Sequence, residues 1–241
     1  MILHRKNVEQ LLDILYPRRC PVCHEIVMPK GSLICPECKK KLSYVKQPAC
    51  KKCGKELSQE TGEYCLDCMR RKPQYEWGVS LLNYDKAARD SISAFKYKNR
   101  REYADFYAEE LLKKYGKRLQ GIHGDALVPV PVHPARRRRR GFNQAEVLAG
   151  RLSAPLGLPV RTDLLIRTRK TLPQKQLNDR ERLKNLTQAF QAVRTGRPVR
   201  TVILVDDIYT TGSTVEACTA ALKSIGIEKV YVISIAIGKG Y

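Results

Sequence analysis

The apolar positions of this chain change period several times, and each change marks an element. Val8, Leu11, Leu12 and Leu15 recur at helical spacing, which predicts a short amphipathic helix closed by Tyr16 and Pro17. Beyond Pro73, Trp77 to Tyr84 reads as a strand, and Ala87 to about Tyr115 as helix with a break near Asn99. Leu127 to Val132 is a second strand running into a turn with Pro129, Pro131 and Pro134. Asn143 to Leu152 has helical periodicity, opened by Asn143 and Glu146 at capping-box spacing. Leu164 to Ile166 is a short buried strand, followed by the polar stretch from Arg167 to Asn185. Val202 to Val205 is an apolar strand, Ser213 to Ile225 a helix and Val230 to Ile237 a closing strand. Strands alternating with helices predict an α/β fold with a doubly wound, mostly parallel sheet. Ligands then sit at the carboxyl ends of its strands.

The region before Pro73 is organised by cysteine. Cys20 and Cys23, eleven residues, Cys35 and Cys38 are followed by Cys50 and Cys53, eleven residues, Cys65 and Cys68. Such short units bury almost no apolar surface and need a metal to fold. Four thiolates satisfy tetrahedral Zn²⁺, so the eight cysteines predict two closed structural zinc sites. Pairing within each repeat is the simplest arrangement; spacing alone also allows pairing between repeats. We place the boundary near Pro73, with residues 1–72 as the amino-terminal helix and double zinc ribbon and 73–241 as the α/β domain. His24 reads as a surface residue, and Cys218, on the helical face of Val215, Leu222 and Ile225, as packing.

The 241 residues suit one large domain plus a small module. Lys and Arg number 45 against 24 Asp and Glu, a formal charge of +21, which two four-thiolate zinc sites would lower to about +17. A polyanionic partner fits that excess. The first twenty residues lack the apolar core of a signal peptide, and Val230 to Ile237 falls short of the ~20 residues that span a bilayer. A cytoplasmic protein without a transmembrane segment is expected.

The most informative segment runs from Val202 to Thr214. A buried strand delivers Asp206 and Asp207, and a loop of Thr210, Thr211, Gly212, Ser213 and Thr214 then opens a helix. Adjacent carboxylates accept hydrogen bonds from vicinal hydroxyls and orient a hydrated Mg²⁺. Gly212 permits close backbone approach, and Ser213 with Glu216 has capping-box spacing, aiming the positive end of the helix dipole at the loop. No Walker A string occurs.

This segment resembles the PRPP motif of type I phosphoribosyltransferases, and the whole chain resembles the ComF family, whose members join a double zinc ribbon to such a domain. The likeness extends to Val128 through Pro134, to Arg140 through Gln144 and to the string from Arg167 to Asn185. It implies PRPP binding with Mg²⁺, a role in taking up single-stranded DNA during natural transformation, a cytoplasmic location, and the competence DNA-translocation ATPase as a partner. Carried over, Asp206 and Asp207 hold the ribose hydroxyls, and Thr210 to Thr214 hold the 5′-phosphate. The turn with Val132 and His133 becomes the pyrophosphate loop, and the segment with Arg167 and Arg169 a hood over the diphosphate. Prolines leave Val130, Val132, His133 and the residues after Pro134 as backbone donors in that turn. His133 reads equally as a structural turn residue. Thr210 stands where purine-salvage members carry a proton-accepting aspartate, which disfavours purine salvage and leaves the acceptor unknown.

Arg136, Arg137, Arg138, Arg139 and Arg140 are consecutive. A helix would spread them round its circumference, so a loop or a helix end beside an anion is expected, with DNA or PRPP phosphates as the ligand and a solvated charge run as the alternative. Lysines of the ribbons (Lys39, Lys40, Lys41, Lys51, Lys52) add a second basic surface, and Tyr44, Tyr64 and Tyr75 are candidate stacking faces. The leading reading is a PRPP-binding, single-stranded-DNA-associated competence protein. Its rivals are an active Mg-dependent phosphoribosyltransferase with an unidentified acceptor, and an adaptor with a vestigial site.

Overall fold

The structure, a computed structural model, describes residues 17–58, 62–168, 189–196 and 198–238. The helix expected over Val8 to Leu15, and the hood from Arg169 onward, lie outside these residues.

Two cysteine loops come first, each closing on a short helix: α1 (Pro36–Lys39) and α2 (Leu66–Arg71). The α/β elements follow as β1 (Gly78–Asn83), α3 (Lys86–Tyr97), α4 (Tyr103–Gln120), β2 (Ala126–Pro129), α5 (Pro134–Arg140) and α6 (Gln144–Leu156). The chain continues through β3 (Leu165–Arg167), β4 (Phe190–Ala192), β5 (Thr201–Tyr209), α7 (Ser213–Ser224) and β6 (Lys229–Ile237). The expected helix break is real: Asn99 adopts φ +52°, a left-handed conformation that asparagine tolerates, between α3 and α4. Several elements differ from expectation: the strand expected over Leu127 to Val132 ends at Pro129, and that over Val202 to Val205 extends to Tyr209. β4 pairs antiparallel with β3, and the arginine run forms a helix, α5, whose amino end is capped by His133 Nδ1 accepting from the Ala135 N–H at 3.2 Å.

The main sheet has the order β1-β6-β5-β2, and all three of its pairings are parallel. Side chains alternate across it, so β5 feeds two cores. Ile203 and Val205 join Phe95, Tyr107, Leu148 and Leu152 beneath α3, α4 and α6. Val202 and Leu204 join Leu165, Phe190, Val215 and Leu222 beneath α7 and the β3–β4 pair. Cys218 is fully buried in that second core, as packing requires.

The ribbons are fastened to this sheet. The Val45 N–H donates to Leu81 O at 3.1 Å and the Asn83 N–H to Ser43 O at 2.7 Å, which covers the outer edge of β1. Arg18 pairs with Asp105 at 2.7 Å, and buried Glu110 accepts from Lys39 Nζ and Tyr44 OH, both at 2.8 Å, so α4 anchors the first ribbon. His24 is not a bare surface residue; its Nδ1 lies 2.9 Å from Tyr103 OH, with the two rings stacked. In the second ribbon Gly54 (φ +75°) packs so closely on β1 that a Cβ there would lie 2.8 Å from Gly78 O. Among the described residues no helix is long and apolar enough to cross a membrane.

Candidate functional site

The cysteines resolve into two groups, Cys20, Cys23, Cys35, Cys38 and Cys50, Cys53, Cys65, Cys68, each with its sulfurs within 4.8 Å of one another. Pairing is therefore within each repeat. Cys53 and Cys65 Sγ are 3.7 Å apart, far beyond a disulfide and equal to the edge of a tetrahedron with Zn–S bonds of about 2.3 Å. The second group is buried throughout, and the Cys65 N–H donates to Cys50 Sγ at 3.3 Å. Both groups fit structural zinc.

The acid pair lies inside β5 rather than after it: Asp206 stands opposite Ser234, and pairing continues to Tyr209 opposite Ile237. Strand alternation therefore sends the two carboxylates to opposite faces. Asp207 meets α3, where Lys96 Nζ pairs with it at 2.8 Å. Asp206 is buried on the α7 side, accepts the Asp207 N–H at 2.8 Å and lies within electrostatic reach of Arg167. Burial, with the Asp207 charge added to it, pushes the Asp206 carboxyl up to about 7.

After Tyr209 the loop carries exposed Thr210 and Thr211 and half-buried Ser213 and Thr214 to the start of α7. The N-cap is Gly212 (φ +79°), which has no side chain to cap with; the Ser213 N–H donates to Thr211 Oγ1 at 3.5 Å, and the next amides of the turn have no intrahelical partner and are available to an anion. A Cβ on Gly212 would fall 2.2 Å from Tyr209 OH. The capping box expected from Ser213 and Glu216 does not form: the Glu216 carboxylate instead accepts the Gln74 N–H at 3.1 Å, and burial raises its pKa. The turn with Val132 and His133 begins beside Asp206, because the Val130 N–H donates to Val205 O at 2.9 Å and Val130 O accepts from Asn143 Nδ2 at 3.0 Å. Val130 is thereby removed from the expected donors. Arg167 stacks on Phe190 at 5.1 Å.

Sequence reasoning missed the cleft that the loop faces. A cavity of about 750 Å³ separates Thr210 to Ser213 from the second ribbon and is lined there by Lys55, Arg70, Arg71 and Lys72. Arg71 Nη1 donates to Thr211 O at 2.7 Å, and Tyr75 OH lies 2.9 Å from Tyr209 OH. Tyr75 is thus fully buried and Tyr44 is held by Glu110, which leaves Tyr64 as the exposed ring of the three expected. Of the arginine run, Arg137 pairs with Glu146 at 2.9 Å and Arg140 bonds Gln144 and Tyr97; Arg136, Arg138 and Arg139 are exposed.

The double zinc ribbon domain matches residues 11–69, and the phosphoribosyl transferase domain matches residues 138–239. Competence protein F of Haemophilus influenzae is 30% identical over 224 residues, 90% of this chain and 96% of its own length. The chain belongs to the ComF family. Two further relatives of this ComF chain are the DNA utilization protein YhgH of Escherichia coli K12, 31% identical over 88% of this chain and 87% of its own, and Competence protein ComFC of Bacillus subtilis, 27% identical over 80% and 79%. An α/β fold of phosphoribosyltransferase type with an amino-terminal double zinc ribbon therefore describes the molecule.

Proposed function

We propose that this ComF protein binds PRPP with Mg²⁺ and associates with single-stranded DNA in the cytoplasm, acting in DNA uptake during natural transformation. Residues 1–72 are the ribbon module and 73–241 the PRPP-binding domain. The observation that carries the reading is the glycine-capped amino end of α7, which opens on the Thr210–Gly212 loop at the end of the strand that carries Asp206 and Asp207, inside a domain matched to phosphoribosyl transferases. Asp206 and Asp207, which leave opposite faces of β5, take the ribose hydroxyls of a ligand seated across the strand. Thr210, Thr211, Gly212, Ser213 and Thr214 take the 5′-phosphate through amides and hydroxyls. Val132 and His133, with Arg169 of the hood, take the diphosphate. Magnesium would neutralise diphosphate charge, its waters oriented by the carboxylates. Arg136 to Arg140 supply phosphate contacts to DNA. The names of the relatives, competence and DNA utilization proteins, support the process; the competence DNA-translocation ATPase as a partner is part of the same proposal and follows from the family resemblance alone.

Calorimetry with PRPP and Mg²⁺ tests the site. Asp206→Asn combined with Asp207→Asn abolishes binding while the fold persists; equal affinity in the double variant refutes the assignment. A second reading is a working transferase with an unidentified acceptor, in which Thr210 supplies no proton-accepting group near neutral pH. Release of pyrophosphate from PRPP in the presence of single-stranded DNA or another acceptor decides between binding and turnover.

A further inference from the structure

Among the described residues, the large apolar side chains that stand out in solvent include two aromatic rings, Tyr64 on a ribbon and Tyr97 on the α/β domain. Tyr97 closes α3 and is 53% exposed. It is nevertheless held in place by a different element. Arg140 of α5 sits 4.6 Å over the ring and donates from Nη2 to Tyr97 OH at 2.7 Å, and Arg139 lies 5.5 Å from the same ring. Arg140 is itself steadied by donating to Gln144 Oε1 at 3.0 Å. The ring therefore keeps one orientation in water before any ligand arrives, which lowers the ordering cost of binding.

The setting is strongly cationic. Residues 96–101 and 136–140 together hold nine lysines and arginines. Carboxylates pair with three of them, in the contacts Lys96–Asp207, Arg100–Glu102 and Arg137–Glu146. Lys98, Arg136, Arg138 and Arg139 are exposed and have no carboxylate partner among the described residues. A solvated charge run needs no ordered ring at its centre. An aromatic face within a basic surface is what an unpaired base and its neighbouring phosphates require. Duplex DNA offers no free base face at this depth.

We propose that Tyr97, braced by Arg139 and Arg140, is a stacking platform for a base of single-stranded nucleic acid whose phosphates lie on Arg136, Arg138 and Lys98. The inference rests on the single-strand DNA reading and adds to it the residue that selects unpaired strands.

The test uses zinc-loaded full-length protein, a labelled oligo-dT strand, a duplex of equal length and fluorescence anisotropy across a salt series. Tyr97→Ala lowers single-strand affinity about tenfold with an unchanged salt slope, because it removes stacking and no phosphate contact. Tyr97→Phe retains most of the affinity. Arg138→Ala flattens the slope by about 0.7. Wild-type binding to single strands with Tyr97→Ala unaffected overturns the platform and leaves the DNA reading intact. Duplex bound as tightly as single strand also overturns the platform. No single-strand binding by wild type at low salt overturns the DNA reading and the platform with it.

Discussion

Arg71, the last residue of α2 in the second ribbon, donates to the main-chain oxygen of Thr211, in the loop that opens α7, at 2.7 Å across 140 residues of sequence. The zinc module thereby forms one wall of the cleft before the proposed phosphate loop. One hydrogen bond of this kind is worth about 0.5–1.5 kcal/mol net. Arg71→Ala should weaken PRPP binding by up to about tenfold in calorimetry, with zinc content unchanged.

The same wall makes the two zinc sites unequal. Elemental analysis should find two zinc ions per chain, and Cys65→Ser with Cys68→Ser should leave one. That variant should lose PRPP affinity more than Cys35→Ser with Cys38→Ser, because only the second ribbon lines the cleft. Equal losses from both variants would show that the ribbons act only through global stability.

Gly212 combines a left-handed backbone with a Cβ position 2.2 Å from Tyr209 OH. Gly212→Ala should cost about 1–3 kcal/mol in denaturant unfolding, from the backbone conformation and the overpacking together. Tyr209→Phe in the same chain should recover part of that loss, since it removes the nearest atom while the ring carbon at 2.7 Å remains.

Asp206 predicts a pH dependence. Its carboxyl is raised from 3.8 to about 7 in the folded protein, first by burial and then by the Asp207 charge. Between these values the native state binds more protons than the unfolded chain, so stability falls as pH rises from about 4 to about 7 and is flat above. The loss is on the order of a few kcal/mol. Asp206→Asn should remove this slope and be the more stable protein at pH 8, measured by denaturation at several pH values.

The readable parts of this molecule were local ones. The zinc chemistry followed from the CxxC spacing, and β5, the loop and α7 from one continuous segment, because their geometry is set by neighbours in sequence. The break at Asn99 and the cap at Asn143, which accepts the Ala145 N–H at 3.1 Å, were legible for the same reason. Local reasoning failed where packing intervened. Glu216 has capping-box spacing yet accepts from the Gln74 N–H in the segment that leaves the second ribbon, and the five arginines form a helix because Pro134 and the His133 cap start one and Glu146, Gln144 and Tyr97 take up Arg137 and Arg140.

By itself the sequence determined the donor sets: eight thiolates, two carboxylates at the end of an apolar run and a hydroxyl-rich glycine loop. Tertiary structure alone decided what faces them. Lys96 on Asp207, Arg71 on Thr211 and Arg140 on Tyr97 are contacts between elements that meet only when α3, α5 and the second ribbon pack around the parallel sheet. No spacing rule reaches them, because a side chain's partner across 43 or 140 residues is chosen by the shared burial of the elements that carry both.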